Sequence, residues 1–465
     1  MPISTMDELR RALEGVVAVG PDGHVTVRSE SDLRGDLCDR LVRTAVFADD
    51  AKVKDAARWL IRRIAHAVGA VPASIQPLYE AMGRKEVEGF TVPAINIRGM
   101  TYDVARAVLR AARARDCGAV VFEIARSEIG YTEQRPAEYA ACCLAAAVRE
   151  GWRGPVFIQG DHFQYSAKKH AADPAKETAA IADLVREAVG AGFYNIDIDS
   201  STLVDLSFPS LREQQRLNFV RCAEMTEVVR KAEPQGVTVS VGGEIGEVGK
   251  KNSTPDELRA FMNGYLEEIH RRGIAKGISK ISVQTGTSHG GIPLPDGRVA
   301  DVKLDFPTLE ALSRVAQGEF GLAGAVQHGA STLPEECFDQ FPTRTACEIH
   351  LATGFQNLIY AHPAFPKELL ARIDEHLRAA SKDERKPDET DEQFIYKTRK
   401  KAFGPFKREM WDLPAAARNA ITADLQARFE LLMGKLGVSG TRAIVDRHVR
   451  PAIVEAGDTP AGLAG

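Results

Sequence analysis

Apolar and polar positions in the middle of this 465-residue chain follow two alternating periods. Eight short apolar runs each end in a polar or ionisable residue: Val92-Pro93-Ala94-Ile95-Asn96, Val120-Val121-Phe122-Glu123-Ile124, Val156-Phe157-Ile158-Gln159-Gly160-Asp161-His162, Ile196-Asp197-Ile198-Asp199-Ser200, Val239-Ser240-Val241-Gly242-Gly243-Glu244, Ile281-Ser282-Val283-Gln284-Thr285, Ala325-Val326-Gln327-His328-Gly329 and Glu348-Ile349-His350-Leu351. Their lengths suit buried strands. Between them, Asp103 to Arg115, Ala137 to Arg149, Ala175 to Gly190, Leu211 to Ala232, Pro255 to Arg272 and Pro307 to Ala316 repeat apolar residues at three- and four-residue spacing, which predicts helices. Strand alternating with helix implies a parallel sheet. Eight such units from Val92 to about Thr353 occupy roughly the 250 residues of a (β/α)8 TIM barrel, in which catalytic side chains stand at the C-terminal strand ends. An open doubly wound sheet competes, but no Gly-x-Gly-x-x-Gly follows the first strand.

The pattern divides the chain into three parts. Residues 1–73 form an N-terminal helical extension, with Val53, Ala57, Leu60, Ile61, Ile64 and Ala65 on one face of a helix expected from Ala51 to Val68. Residues 74–365 form the barrel. Residues 366–465 form a C-terminal addition, in which Lys382-Asp383-Glu384-Arg385-Lys386-Pro387-Asp388-Glu389 reads as a solvated linker before helices expected at Ala415 to Leu436 and Arg442 to Ala456.

Composition narrows the function classes. The 60 Lys and Arg against 64 Asp and Glu leave a formal charge of −4, so no nucleic-acid partner is expected and any anion site must be local. Seven cysteines without a Cys-x-x-Cys pair argue against a disulfide framework or a thiolate zinc site and fit a reducing cytoplasm. The N-terminus lacks the apolar core of a signal peptide, and no run approaches the roughly 20 apolar residues needed to span a bilayer.

In a barrel the strand ends converge on one mouth, which makes neighbours of Asn96, Asp161, His162, Asp199, Glu244, His289, His328 and His350. Of the eleven histidines, His162, His289, His328 and His350 fall at or just past strand ends, while the other seven sit in helix or loop patterns. Any one of them alone reads as a satisfied core or loop histidine. Together, His162, His289 and His328 offer three imidazoles that leave a tetrahedral zinc with an open position; cobalt, manganese or iron are alternatives. Gly290, Gly329, Ser331 and Thr353 supply close backbone approach and hydroxyls suited to a phosphate beside such an ion. Asp161, Asp199 and Glu244 read either as site carboxylates or as helix caps and structural acids.

These strings resemble the class II, metal-dependent fructose-bisphosphate aldolases and their tagatose-bisphosphate relatives. The resemblance runs from about Ile75 to Thr353 and rests on Pro93-Ala94-Ile95-Asn96, Gly160-Asp161-His162, Ile198-Asp199-Ser200-Ser201, Glu244-Ile245-Gly246, Ser288-His289-Gly290 and His328-Gly329-Ala330-Ser331. It implies His162, His289 and His328 as zinc ligands, Asp161 as the acid/base on the ketose C4 hydroxyl, and Asp199 and Glu244 as carboxylates lining the site or holding an alternative metal position. It implies Glu247 as the group moving a proton at the triose carbon, and Asn96, Gly290, Gly329, Ser331, His350 and Thr353 as substrate or phosphate contacts. The expected activity is reversible cleavage of a ketose bisphosphate, by default fructose 1,6-bisphosphate, to dihydroxyacetone phosphate and glyceraldehyde 3-phosphate. Zinc is the expected cofactor, with other divalent ions as alternatives and a monovalent cation as a further candidate; a homo-oligomer is also expected.

The chain departs from the family pattern in three places. The loop after the fifth strand reads Gly246-Glu247-Val248-Gly249-Lys250-Lys251-Asn252-Ser253 instead of the family's glycine- and glutamate-rich stretch, the eighth strand has His350 where an asparagine is usual and Gly354 in place of an acidic residue, and Phe122-Glu123-Ile124-Ala125-Arg126-Ser127 with Gly130-Tyr131-Thr132 looks like the non-catalytic subunit of tagatose-bisphosphate aldolases. The alternatives are therefore an aldolase for tagatose 1,6-bisphosphate or another ketose phosphate, a non-catalytic stabilising subunit, and a zinc hydrolase built on the same barrel.

Overall fold

Eight parallel strands close into a ring: β1 Val92–Asn96, β2 Val121–Ala125, β3 Gly154–Gln164, β4 Asn195–Asp199, β5 Ser240–Glu244, β6 Lys280–Val283, β7 Ala325–Gln327 and β8 Glu348–Leu351. The structure is a computed structural model and describes residues 1–246, 251–286, 304–455 and 457–463. Each strand pairs with the next in sequence, and β8 closes on β1 through Glu348↔Val92 to Leu351↔Ile95. The chain is thus a (β/α)8 barrel, and its strands are buried on both faces because helices cover the outside.

Local chemistry sets the helix limits. Pro136, Pro174, Pro255 and Pro307 stand in the first turns of Pro136–Glu150, Pro174–Ala191, Pro255–Arg271 and Phe306–Phe320, where a fixed φ suits the helix and no intrahelical donor is lost. Gly151, Gly192 and Gly321 end three of these helices in the left-handed region, releasing the chain toward the next strand. Asp173 and Thr254 accept hydrogen bonds from the backbone N–H of Lys176 and Glu257, the latter within a capping box.

The N-terminal extension is helical, as its pattern predicts, and carries a small hairpin, Val17–Val19 against Val25–Val27. Its helices Cys38–Phe47 and Ala51–Ala67 pack on each other and on Pro136–Glu150. Then a short strand, Ala70–Ala73, joins the barrel sheet alongside the start of β3, in register from Ala70↔Gly154 to Ala73↔Phe157. Eleven residues long, β3 first pairs this strand and, from Gln159 onward, pairs β4.

At the other end, Ala415–Lys435 lies along barrel helix Thr101–Ala114. The linker Lys382 to Asp388 is exposed, and beyond it come two elements that the pattern did not predict, Asp391–Thr398 and the 3-10 segment Arg399–Phe403. The last expected helix is shorter than its pattern: it spans Arg442–His448, because Pro451 disfavours helical backbone at Arg450 and removes a donor. The stretch Leu211 to Ala232 forms two helices, Leu211–Gln214 and Arg216–Ala232, which meet at the buried Gln215. No helix among the described residues is long and apolar enough to cross a membrane.

Candidate active site at the barrel mouth

The site is built around an irregularity in β3. The register with β4 shifts between Gly160 and Phe163, and His162 takes a left-handed φ of 40° there. Such a bulge redirects side chains that a regular strand would point alternately in and out. Gly160 permits it, since a Cβ at that position would lie 2.5 Å from the Phe163 ring. Asp161 and His162 consequently both reach the barrel mouth, where the His162 ring centroid is 4.2 Å from that of His328 on the loop after β7.

Around this pair the strand ends supply carboxylates. Nδ1 of His162 is 3.0 Å from Asp199 Oδ2 and 3.3 Å from Glu244 Oε2, and Asp199 is fixed in turn by Ser201 Oγ at 2.8 Å and Gln164 Nε2 at 2.5 Å. On the other side, Asp161 Oδ1 lies 3.8 Å from His162 Nε2, 3.6 Å from His328 Nε2 and 3.1 Å from His350 Nδ1. His350, 4.1 Å from His328 between ring centroids, is also 3.0 Å from Glu123 Oε2 and 2.6 Å from Glu348 Oε1.

One layer deeper, Lys280 from β6 donates to Gln159 Oε1 at 2.8 Å, to Asp197 Oδ2 at 2.9 Å and to Glu348, which also accepts from the Tyr79 hydroxyl. Gln159 Nε2 donates to Glu348 at 3.0 Å and Glu123 at 3.2 Å. Side chains from β2, β3, β4, β6 and β8 thus form a closed polar layer, with Lys280 only 1 % exposed. A buried ammonium of this kind persists only because carboxylates surround it.

Burial and crowding displace the titrations. Burial pushes Glu244 up to about 7, with Asp199 adding to the shift and His162 opposing it. Burial likewise pushes Glu123 up to about 8 against the pull of His350, and Asp197 up to about 6 against that of Lys280. For Asp161 burial acts upward too, but the imidazoles of His162 and His350 outweigh it and hold the carboxyl well below the usual range. Burial and the neighbouring His350 and His162 hold His328 well below its ordinary value, which keeps it neutral.

The donor atoms suit a divalent ion. One ligand atom each of Asp161, His162 and His328 lies within 4.8 Å of the others, and the same holds for His162, Asp199 and Glu244. Against burial, Asp161, Glu244 and Asp199 hold the His162 imidazole well above its ordinary value, and an ion displacing its Nε2 proton would leave Nδ1–H on Asp199, the carboxylate-backed arrangement usual for metal ligands. Two imidazoles and a carboxylate match zinc and other first-row ions. Glu123, Asp161 and His350 form a further group of the same kind.

A cavity of about 550 Å³ opens above these groups. Asn96 stands in its wall, donating to Glu128 Oε2 at 2.6 Å, and Arg98 donates to Glu128 Oε1 at 2.8 Å, to Gln356 at 2.9 Å and to Thr353 Oγ1 at 3.4 Å. Gly329, Ser331 and Thr353 line the same cavity, Gly329 with a φ of 69°. Gly354 has a packing reason: a Cβ there would lie 2.5 Å from the Ser331 carbonyl oxygen, so an acidic residue would push apart the two loops that hold Ser331 and Thr353.

The structure therefore gathers Asn96, Asp161, His162, Asp199, Glu244, His328, Gly329, Ser331, His350 and Thr353 at one barrel end. Glu247, His289 and Gly290 lie outside the described residues. Sequence reasoning missed the second layer of Gln159, Asp197, Lys280 and Glu348, together with Arg98, Glu128 and Lys400 at the cavity. Period-two alternation carried the signal for the layer: Asp197 precedes Asp199 by two, Gln159 precedes Asp161, and Glu348 precedes His350.

The sequence profile of class-II fructose-bisphosphate aldolases matches residues 77–432. No curated protein matches the sequence. Among solved structures, a fructuronate-tagaturonate epimerase from Cohnella laeviribosi superposes with a TM-score of 0.56 at 12% identity, covering 92% of this chain and 90% of its own. A probable tagatose 6 phosphate kinase from Sinorhizobium meliloti 1021 gives 0.51 at 17% identity, with 80% and 96% covered. A putative fructose-1,6-bisphosphate aldolase from Coccidioides immitis gives 0.46 at 18% identity, with 78% and 96% covered.

Proposed function

Because the chain belongs to the class II fructose-bisphosphate aldolase family, we propose that it is a metal-dependent aldehyde-lyase that reversibly cleaves the C3–C4 bond of a ketose bisphosphate, by default fructose 1,6-bisphosphate. Dihydroxyacetone phosphate and glyceraldehyde 3-phosphate are the products. The single observation that carries this reading is the meeting of Asp161 with His162 and His328 at the mouth, a carboxylate within 3.6 to 3.8 Å of two imidazole nitrogens. Tagatose 1,6-bisphosphate is the main alternative within the same chemistry.

His162 and His328 would hold the ion with the help of His289, and Asp199 and Glu244 would orient His162 or offer a second resting position. When bound, a zinc ion supplies the electrophile that stabilises the negative charge developing on the triose half of the substrate. Asp161 takes the proton from the C4 hydroxyl as the bond breaks and returns it in the condensation direction. His350, clasped between Glu123, Glu348 and Asp161, fixes the orientation of the Asp161 carboxylate. Gly329, Ser331 and Thr353 bind the phosphate of the triose half, and Glu247 moves the proton at its carbon.

A second reading is epimerisation at C4 of a keto sugar acid, in which the same bond is broken and remade on the other face of the aldehyde. It is favoured by the epimerase superposition, which spans 92% of this chain and so reaches into both terminal additions.

Metal analysis tests the first step of both. The account expects one tightly held zinc per chain, lost together with turnover in His328→Ala. A protein that carries no metal and is indifferent to chelators would contradict it.

A further inference from the structure

Two donors at the mouth, Glu123 on β2 and His350 on β8, stand on strands where the sequence departs from the family pattern, and both are almost fully buried. They meet at Asp161. Nδ1 of His350 faces two carboxylates at once, Glu123 Oε2 at 3.0 Å and Asp161 Oδ1 at 3.1 Å, while its Nε2 stands 2.6 Å from Glu348 Oε1. A neutral imidazole carries one proton. With that proton on Nε2, donated to Glu348, the Nδ1 lone pair points at two carboxylates, and a cation has to stand between them.

A second proton and a metal ion both answer that need, and the spacing favours the ion. Neighbouring ligands about 2.1 Å from an octahedral ion stand about 3 Å from one another, the separation of His350 Nδ1 from both carboxylate oxygens. A proton on Nδ1 has to be divided between two acceptors. It also does nothing for Glu123 Oε1, a buried oxygen that has no hydrogen-bond partner among the described residues. Glu123, Asp161, Asp197, Asp199, Glu244 and Glu348, all buried, surround the ammonium of Lys280, so a zinc ion held by His162 and His328 still leaves negative charge in excess. A second ion would offset it and release the protons its ligands carry.

We propose that Glu123, Asp161 and His350 bind a second divalent ion, of the manganese or magnesium type, next to the zinc position of His162 and His328. Two carboxylates and one imidazole make a harder donor set than the histidines, which separates the two ions by type. All three residues belong to the cavity wall, so the site is reached from the mouth. The ion ties Asp161 to His350 and fixes the carboxylate that the proposed cleavage uses, yet its binding is read without turnover and does not depend on that reaction.

Electron paramagnetic resonance of the full-length protein carrying one equivalent of zinc, titrated with Mn2+, tests this. One Mn2+ should bind per chain without displacing zinc, and spin-echo modulation should show a single directly coordinated imidazole nitrogen. Glu123→Gln should weaken Mn2+ by about tenfold or more with zinc content unchanged, and His350→Asn should remove the nitrogen signal. Glu244→Gln, which neutralises another buried carboxylate beside His162, should leave Mn2+ affinity within about twofold. No Mn2+ beyond the zinc, equal weakening by Glu123→Gln and Glu244→Gln, or any count of coordinated imidazoles other than one overturns the proposal; a count of two would place the manganese with His162 and His328. The count is read on the unsubstituted protein, so it decides the matter even where Glu123→Gln fails to fold. A single coordinated imidazole in a protein that releases no triose would remove the cleavage reading and leave the second ion site standing.

Discussion

Asp161 is the residue on which the proposed chemistry turns, and a substitution there separates an acid/base role from a ligand role. It touches His162, His328 and His350 at 3.8, 3.6 and 3.1 Å, so removing its charge leaves the imidazoles in place. Asp161→Asn should lower kcat by about 10²–10⁴-fold, the range for a positioned acid/base, while zinc content stays at the unsubstituted level; simultaneous loss of metal would assign Asp161 to the ligand set instead. Lys280 carries a different consequence. Its ammonium pairs with Asp197 and Glu348, and Lys280→Met would leave these two buried carboxylates with His350 as their nearest cation. Breaking a buried pair from one side costs about 3–5 kcal/mol, which urea denaturation should show, and a loss below about 1 kcal/mol would mean the layer relaxes or takes up protons. These second-layer residues escaped sequence reading although Ile196-Asp197-Ile198-Asp199 shows the alternation plainly, because a charge two residues before a strand end has the pattern of a structural acid.

At the level of elements, the eight strands and the barrel helices were legible because each has a strong period and clear stops. What was not legible depended on contacts distant in sequence. The bulge that delivers both Asp161 and His162 to the mouth rests on the Phe163 ring folding over Gly160, and Asp391–Thr398 and Arg399–Phe403 follow a charged linker with few apolar positions to mark them. The terminal pattern from Arg442 looked helical beyond His448, and the proline at 451 decided otherwise. The extension helix Ala51–Ala67 carries a prediction of its own. Burial, reinforced by Arg62 and Arg63, pushes His66 down from 6.5 to about 4, so the folded state resists a proton that the unfolded chain accepts. Its contribution to stability is complete above pH 6.5 and is lost as the pH falls from there toward 4, a loss on the order of 2 kcal/mol after allowance for its partial exposure. His66→Gln should flatten that part of the pH profile in chemical denaturation; an identical slope in both proteins would show that other groups set it.

For the whole molecule, the barrel provides a rigid ring and the two additions clothe it, one contributing a strand beside β3 and the other a lysine at the mouth. Sequence order hides this arrangement, since Asp161, His328 and Lys400 meet only because the ring closes between β8 and β1 and the chain then returns over its own opening. In the proposed reading this arrangement serves one event, metal-dependent rupture of a carbon–carbon bond in an anionic keto sugar, with Asp161 beside the candidate ligands His162 and His328. The most direct measurement is the appearance of dihydroxyacetone phosphate when the zinc-loaded protein meets fructose 1,6-bisphosphate and tagatose 1,6-bisphosphate in turn. The account predicts stoichiometric triose formation from one of them, abolished by a chelator and restored by zinc. Full zinc occupancy with no triose released from either bisphosphate would contradict it.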